Sequence, residues 1–153
     1  MYLGADICKY HVNGDIYGTE FWAMIAKSHV KKALEVVKDS LREDNVKFKG
    51  SNKTAEHPFS SQSYRPELDV IEECDEEQVQ FYQSLVVIMK WLCDIGRINI
   101  LTETSLLSTY LSCPQVVHLH QALHVFKYLK DHKRSKCVFD PTYVDINDDH
   151  LPR

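Results

Sequence analysis

The pattern of apolar and polar positions in the second half of the chain predicts three consecutive helices. The first has apolar side chains at three- and four-residue spacing, begins after Asp75 and ends at Gly96. The second covers residues 99–112, and Pro114 separates it from the third, which covers residues 116–130. We therefore expect a compact three-helix bundle in this part of the chain.

The beginning of the chain has a strand pattern followed by a helical one. Residues 2–26 are rich in aromatic and β-branched side chains on both sides of Asn13-Gly14, a strong reversal signal, and so predict a β-hairpin. Ser28 is expected to cap the helix that follows. Because two strands alone are marginally stable in water, the hairpin needs a partner sheet or helix. Residues 137–139 predict one further short strand.

A polar segment lies between the N-terminal region and the predicted bundle. It contains Gly50, Pro58 and Pro66 and has no sustained periodicity of apolar residues. This indicates either a functional loop or a poorly ordered linker. The predicted fold class is α+β, with an N-terminal hairpin and helix, a long loop, a three-helix bundle and a short C-terminal strand. We divide the chain into four parts, of which the last is expected to be partly disordered: residues 1–44, 45–74, 75–132 and 133–153.

The composition of the chain argues against several classes of protein. The chain has 153 residues and a formal net charge of −4, which argues against a uniformly basic nucleic-acid binder. The five cysteines are odd in number and form no Cys-x-x-Cys pair, so we expect reduced thiols and an intracellular location, cytoplasmic or nuclear. The longest apolar run is too short to span a bilayer, so no membrane partner is expected.

The sequence gives only weak signals for catalytic or metal-binding residues. His120 and His124 share a helix face, but Cys113 precedes the proline and His118 points away from the pair, which favours surface or packed histidines over zinc ligands. Paired acids such as Asp148-Asp149 lack the strand-turn context that would hold Mg²⁺. No nucleophile elbow or glycine-rich phosphate loop is present. The sequence predicts no catalytic residue, metal site or cofactor in this chain.

The remaining candidate is a stripe on the first helix of the bundle. Gln83, Val87 and Trp91 are four residues apart and so lie on one face, next to the apolar positions. An amide and an indole there could hydrogen-bond and stack along a nucleic-acid groove, or the indole could lie at the edge of a helical core. Lys127 and Lys130, in a basic run at the end of the last helix, are further candidate nucleic-acid contacts.

Four segments carry a family resemblance. They read MYLGADI at the start, and then YQSLVVIMKW, DIGRINILTETSLLSTYL and CPQVVHLHQALHVFKYLKDH. In order and spacing they resemble the C-terminal portion of reverse transcriptases of copia-type LTR retrotransposons, over nearly the whole chain. The family shows an LG-(I/M)-(E/D) strand, a Y-x-x-L helix, an R-x-D-I segment and a P-x-x-x-H-x-x-A helix at these places.

The resemblance implies a role for each part. The hairpin would lie at the palm–thumb border and help to hold the primer end, the predicted bundle would be the thumb that closes over the primer–template duplex, and residues 133–153 would start the connection. Gln83, Val87 and Trp91 fall on the positions of a Gln, a Gly and a Trp that related retroviral enzymes present to the minor groove. The parent enzyme would be an RNA-directed DNA polymerase that uses Mg²⁺.

Two departures bear on activity. Val87 and Val117 replace glycines of the family pattern, and a branched side chain at position 87 opposes close approach of the backbone to a duplex. The family's metal-binding aspartates would precede the first strand, and its RNase H acids would follow Arg153. We therefore expect a polyprotein fragment, inactive alone, whose partners would be primer–template nucleic acid and the remaining polyprotein domains. The alternatives are a non-enzymatic helical interaction module and a retained duplex binder.

Overall fold

The protein combines one small antiparallel sheet with four α-helices, in a computed structural model that describes residues 5–11, 20–43, 55–59 and 72–139. This arrangement confirms the predicted α+β class, with its N-terminal hairpin and C-terminal strand. The elements in chain order are β1 (Asp6–His11), β2 (Glu20–Ile25), α1 (Lys27–Glu43), α2 (Glu76–Asp94), a 3₁₀ turn (Ile98–Ile100), α3 (Leu101–Ser108), α4 (Val116–Asp131) and β3 (Cys137–Phe139).

The sheet has the strand order β1-β2-β3, with both neighbours antiparallel to β2. Trp22 in the central strand lies opposite Lys9 on one side and Phe139 on the other. The C-terminal strand therefore supplies the partner that the hairpin needs. The reversal predicted at Asn13-Gly14 lies outside the described residues.

A single hydrophobic cluster joins all four helices. From α1 it takes side chains on one face, among them Val30 and Val37, and from α3 it takes Leu107. The larger contributions come from α2 and α4, where the apolar positions at three- and four-residue spacing are buried as predicted. Because α1 enters the same core as the three predicted bundle helices, α1 is packed against the bundle.

The helix ends show which local signals operate. Asp75 caps α2, since its side chain accepts a hydrogen bond from the backbone N–H of Gln78, whose side chain in turn accepts from the N–H of Asp75. Gly96 follows the end of α2 with φ of 105°, a left-handed conformation that suits glycine. Ser28 is not the N-cap of α1: Val30 N–H bonds Ala26 O, so the helix begins at Lys27 and Ser28 lies in its first turn.

The helix predicted over residues 99–112 is shorter in the structure. It starts as a 3₁₀ turn and becomes α-helical only over Leu101–Ser108. The next two amides, of Thr109 and Tyr110, bond carbonyls three residues back, which tightens and ends the helix. This early end lets the chain turn so that Pro114 O accepts the N–H of Cys74 at 3.1 Å.

Helices α2 and α4 run parallel, because both pairs of ends are tied together. At their starts, Val116 N–H donates to Glu72 O, and Glu73 bridges to Gln115. At their ends, Arg97 just after α2 donates to His132 O just after α4. The returning α3 lies along α2, where Tyr82 donates its hydroxyl proton to Leu107 O at 2.7 Å.

Residues 55–59, within the segment predicted as a linker, lie against α4. Ala55 donates its N–H to Asp131 Oδ2 at 2.9 Å, and Ala55 O lies 3.0 Å from His132 Nε2. Gln121 donates from Nε2 to Pro58 O at 3.0 Å. This part of the polar segment is therefore a docked strap, whose backbone forms hydrogen bonds with side chains of α4 and with His132 just after it.

Candidate nucleic-acid interface

The α2 stripe, formed by Gln83, Val87 and Trp91, lies on the solvent side of α2. Val87 is 65% exposed and Trp91 is 45% exposed, whereas Met89 is fully buried. Since two residues along an α-helix correspond to about 200° around its axis, Val87 faces away from the core that Met89 enters. The helix therefore presents an amide, a branched apolar side chain and an indole along one exposed ridge.

Contacts with neighbouring elements hold the two ends of the α2 stripe. Gln83 donates from Nε2 to Leu111 O, 2.9 Å away in the turn after α3. The Trp91 ring meets the ring of His29 from α1 in an edge-to-face contact, with centroids 4.7 Å apart and planes at 62°. The amide and the indole therefore have fixed positions, and Val87 lies between them.

The α2 stripe itself is uncharged, and its exposed neighbours on α2 are the polar Gln80 and Ser84 and the charged Lys90 and Asp94. An indole ring offers a large apolar face that can pack on sugars or bases, and an amide can bond base edges in a minor groove. Val87 offers no hydrogen bond, and its branched side chain keeps the helix backbone away from any ligand. Recognition on this ridge would therefore depend on Gln83 and Trp91.

The two candidate lysines lie on a different helix from the α2 stripe. Helix α4 shares the hydrophobic core with the buried side of α2. Lys127 is half-buried and interacts with other groups of the protein. Lys130 is exposed and lines an open depression of about 490 Å³ formed with residues 131–135. The five candidate residues therefore fall into two groups, the α2 stripe and the end of α4.

A buried arginine, which reasoning from the sequence missed, supports the end of α4. Arg97 is only 1% exposed, donates from its Nη1 atom to His132 O at 3.0 Å and from Nε to Asn99 Oδ1 at 3.1 Å. Asn99 in turn donates to the Tyr128 hydroxyl, and the Tyr128 ring lies over that of His132. This network fixes the backbone from which the basic residues after Lys130 project.

Burial lowers the pKa of Arg97, and no carboxylate lies within ion-pair distance of it in the described part of the chain. The Nη2 atom is buried and has no hydrogen-bond partner there. A guanidinium in this position costs desolvation energy that its hydrogen bonds only partly offset. The one signal in the sequence is its place directly after Gly96 in the DIGRINI segment.

Burial also changes the pKa of two groups, Glu103 in α3 and Cys93 in α2. It raises the pKa of the Glu103 carboxyl in the first turn of α3, an effect that a hydrogen bond from its own backbone N–H partly offsets. It likewise raises the pKa of the Cys93 thiol, whose sulfur lies 3.5 Å from Thr104 Oγ1. Both groups are packed between helices rather than open to a ligand, so they bear on stability.

The histidines considered as zinc ligands lie in different surroundings and have different partners. His118 is buried, accepts the N–H of Gln115 on Nδ1 at 3.0 Å and stacks on Tyr110. His120 is exposed, and His124 places Nε2 3.1 Å from His57 O in the docked strap. Over the described ranges, no group of three or more His, Cys, Asp or Glu side chains is arranged to hold a metal ion.

Comparison with known proteins identifies no similar protein. No protein-family model, curated protein or solved structure matches this chain. Within the residues that the structure describes, none of the helices has the length and apolar character needed to cross a bilayer. A functional assignment therefore depends on the residues themselves and on the resemblance stated above.

Proposed function

We propose that this chain binds a nucleic-acid duplex through the α2 stripe, as the thumb of a reverse transcriptase does. The observation that carries the proposal is the exposed ridge of Gln83, Val87 and Trp91, on which a half-exposed indole is held in place by His29. An exposed indole offers a large, rigid apolar face, which contact with a ligand would bury.

The parent activity that we propose is RNA-directed DNA polymerisation in a copia-type retrotransposon polyprotein, within the cell. Its ligand would be primer–template nucleic acid, and its catalytic step would use Mg²⁺. The parallel α2 and α4 and the returning α3 support this proposal, because they place three of the four matching sequence segments in one packed unit. Since no metal-binding carboxylate pair is evident in the sequence, we expect this polypeptide to bind a duplex without extending a primer.

The test is fluorescence anisotropy with a labelled RNA–DNA hybrid at several salt concentrations. Trp91→Ala should weaken binding several-fold, since stacking on an aromatic side chain contributes about 1–3 kcal/mol per base. Leu101→Ala is the control, because Leu101 is an exposed apolar residue (51%) that lies in α3 and outside both the α2 stripe and the hairpin. Equal affinities of the two variants and the wild-type protein would overturn the proposal. Metal-dependent primer extension by this polypeptide would overturn the expectation of inactivity.

A helical interaction module without nucleic-acid binding is the second candidate. It is favoured by the exposed apolar side chains of Val36 on α1 and Val87 on α2, which resemble a protein-binding surface. Its sign would be a stable protein partner together with no salt-sensitive binding of the hybrid.

A further inference from the structure

The first turn of α1 lies beside the end of the α2 stripe. The edge-to-face contact of His29 with Trp91 brings the two helices together there, and Val30, the next residue of α1, enters the common core. This contact makes α1 the neighbour of the only indole on the ridge. A ligand that covers Trp91 must therefore also approach α1.

Helical geometry decides which residues of α1 share the side of His29. Lys32 and Val36 follow at spacings of three and then four residues, which places both next to His29 around the helix. Both are exposed, Val36 at 54%. Lys38 is also exposed, but it lies six residues after Lys32 and so about 240° further around the axis.

The two helices differ in the charge that they carry. The α2 stripe is uncharged, whereas α1 begins without an acidic residue in its first turn and carries four lysines. Lys31 is engaged with Glu35 of the same helix at 3.9 Å. Lys32 is thus the exposed cation on the side of α1 that carries His29, and it shares this side with the exposed acid Asp39. A groove-binding surface needs cations of this kind at its margin, because phosphates border every groove.

We propose that α1 forms the second wall of the duplex-binding surface and that Lys32 contacts the phosphate backbone while Trp91 occupies the groove. The inference rests on the duplex binding proposed above and adds to it a second element and a named cation. The occupant is a nucleic-acid duplex rather than a protein helix, because the surface pairs an uncharged amphipathic ridge with a cation at its edge. His29 acts by positioning the indole between the two helices.

The test compares Lys32→Gln with Lys38→Gln in the full chain, using the labelled hybrid over a series of salt concentrations. Both variants remove one exposed lysine from the same helix, so they change the net charge equally. Lys32→Gln should weaken binding several-fold and reduce the slope of log affinity against log salt by about 0.9. Lys38→Gln should match the wild-type protein in both quantities.

The outcomes separate this inference from the proposed function. If Trp91→Ala weakens binding but Lys32→Gln behaves like Lys38→Gln, the role of α1 is wrong and the function of the α2 stripe stands. If the wild-type protein fails to bind the hybrid, both are wrong. Sedimentation of the same samples tests whether a second copy of this chain binds the surface instead of a duplex. Self-association that Trp91→Ala abolishes would overturn the inference. Thermal unfolding of each variant confirms that it folds.

Discussion

At the scale of single residues, Gly96 shows a conformational requirement that the sequence signals directly. It has φ of 105°, and a Cβ atom there would lie 2.7 Å from Met24 Cε in the sheet. Gly96→Ala should therefore lower the free energy of unfolding by about 1–3 kcal/mol, through backbone strain and displacement of Met24. Urea denaturation measures this loss.

The matched control for Gly96 is the same change in a Met24→Ala background. Removal of the Met24 side chain relieves the contact, so the remaining loss reports backbone strain alone. An unchanged stability of Gly96→Ala in the wild-type background would contradict the left-handed conformation of this turn.

Glu103 is a second residue with a measurable consequence. Its raised pKa means that the folded protein holds the proton more tightly than the unfolded chain does. The free energy of unfolding should therefore fall as the pH rises from the usual pKa of 4.5 through the raised value. Glu103→Gln removes this dependence, so we expect the variant to be more stable than the wild-type protein at neutral pH.

Denaturant unfolding at a series of pH values checks the Glu103 prediction. Glu77→Gln, on the exposed first turn of α2, is the control and should show no such gain. The burial of Glu103 is contradicted if both variants lose stability with pH as steeply as the wild-type protein does.

Some residue-level features follow from the sequence and others do not. Asp75 and Gly96 could be predicted because their effects are local, acting within one turn of the helix end. The burial of Arg97 could not, because it depends on His132, which comes close only when α4 returns beside α2. For the same reason Gln83 could be placed on a face, while its bond to Leu111 O could not be foreseen.

At the scale of elements, the docked strap of residues 55–59 should be sensitive to the end of α4. Asp131→Ala removes the acceptor of the Ala55 N–H, so we expect faster hydrogen exchange at Ala55 and its neighbours. Asp94→Ala, an exposed acid at the end of α2, is the control. Equal exchange at Ala55 in both variants would show that Asp131 does not hold the strap.

The elements themselves could be predicted to different degrees. The α2 and α4 helices follow from long apolar periodicity, and both were predicted close to their observed ends. The strand β3 has only three residues, and its pairing with β2 spans most of the chain, so its partner could not be inferred. The early end of α3 could not be predicted from the apolar periodicity, which continues beyond Ser108.

At the scale of the whole molecule, a net charge of −4 restricts where a polyanion can bind. A duplex must meet a local surface on which uncharged and cationic side chains are adjacent, as we propose for the α2 stripe and Lys32. The end of α4 offers a second basic surface, on a different helix from the α2 stripe. This geometry predicts that Trp91 and Lys32 influence binding more than Lys130 does.

The most direct measurement uses the fact that the chain has only two tryptophans, Trp22 and Trp91. In a Trp22→Phe protein, Trp91 is the sole reporter, and in a Trp91→Phe protein Trp22 is. Addition of an RNA–DNA hybrid should quench the emission of Trp91 and protect it from acrylamide. Protection of Trp22 alone, or no change at either tryptophan at saturating hybrid, would contradict duplex binding through the α2 stripe.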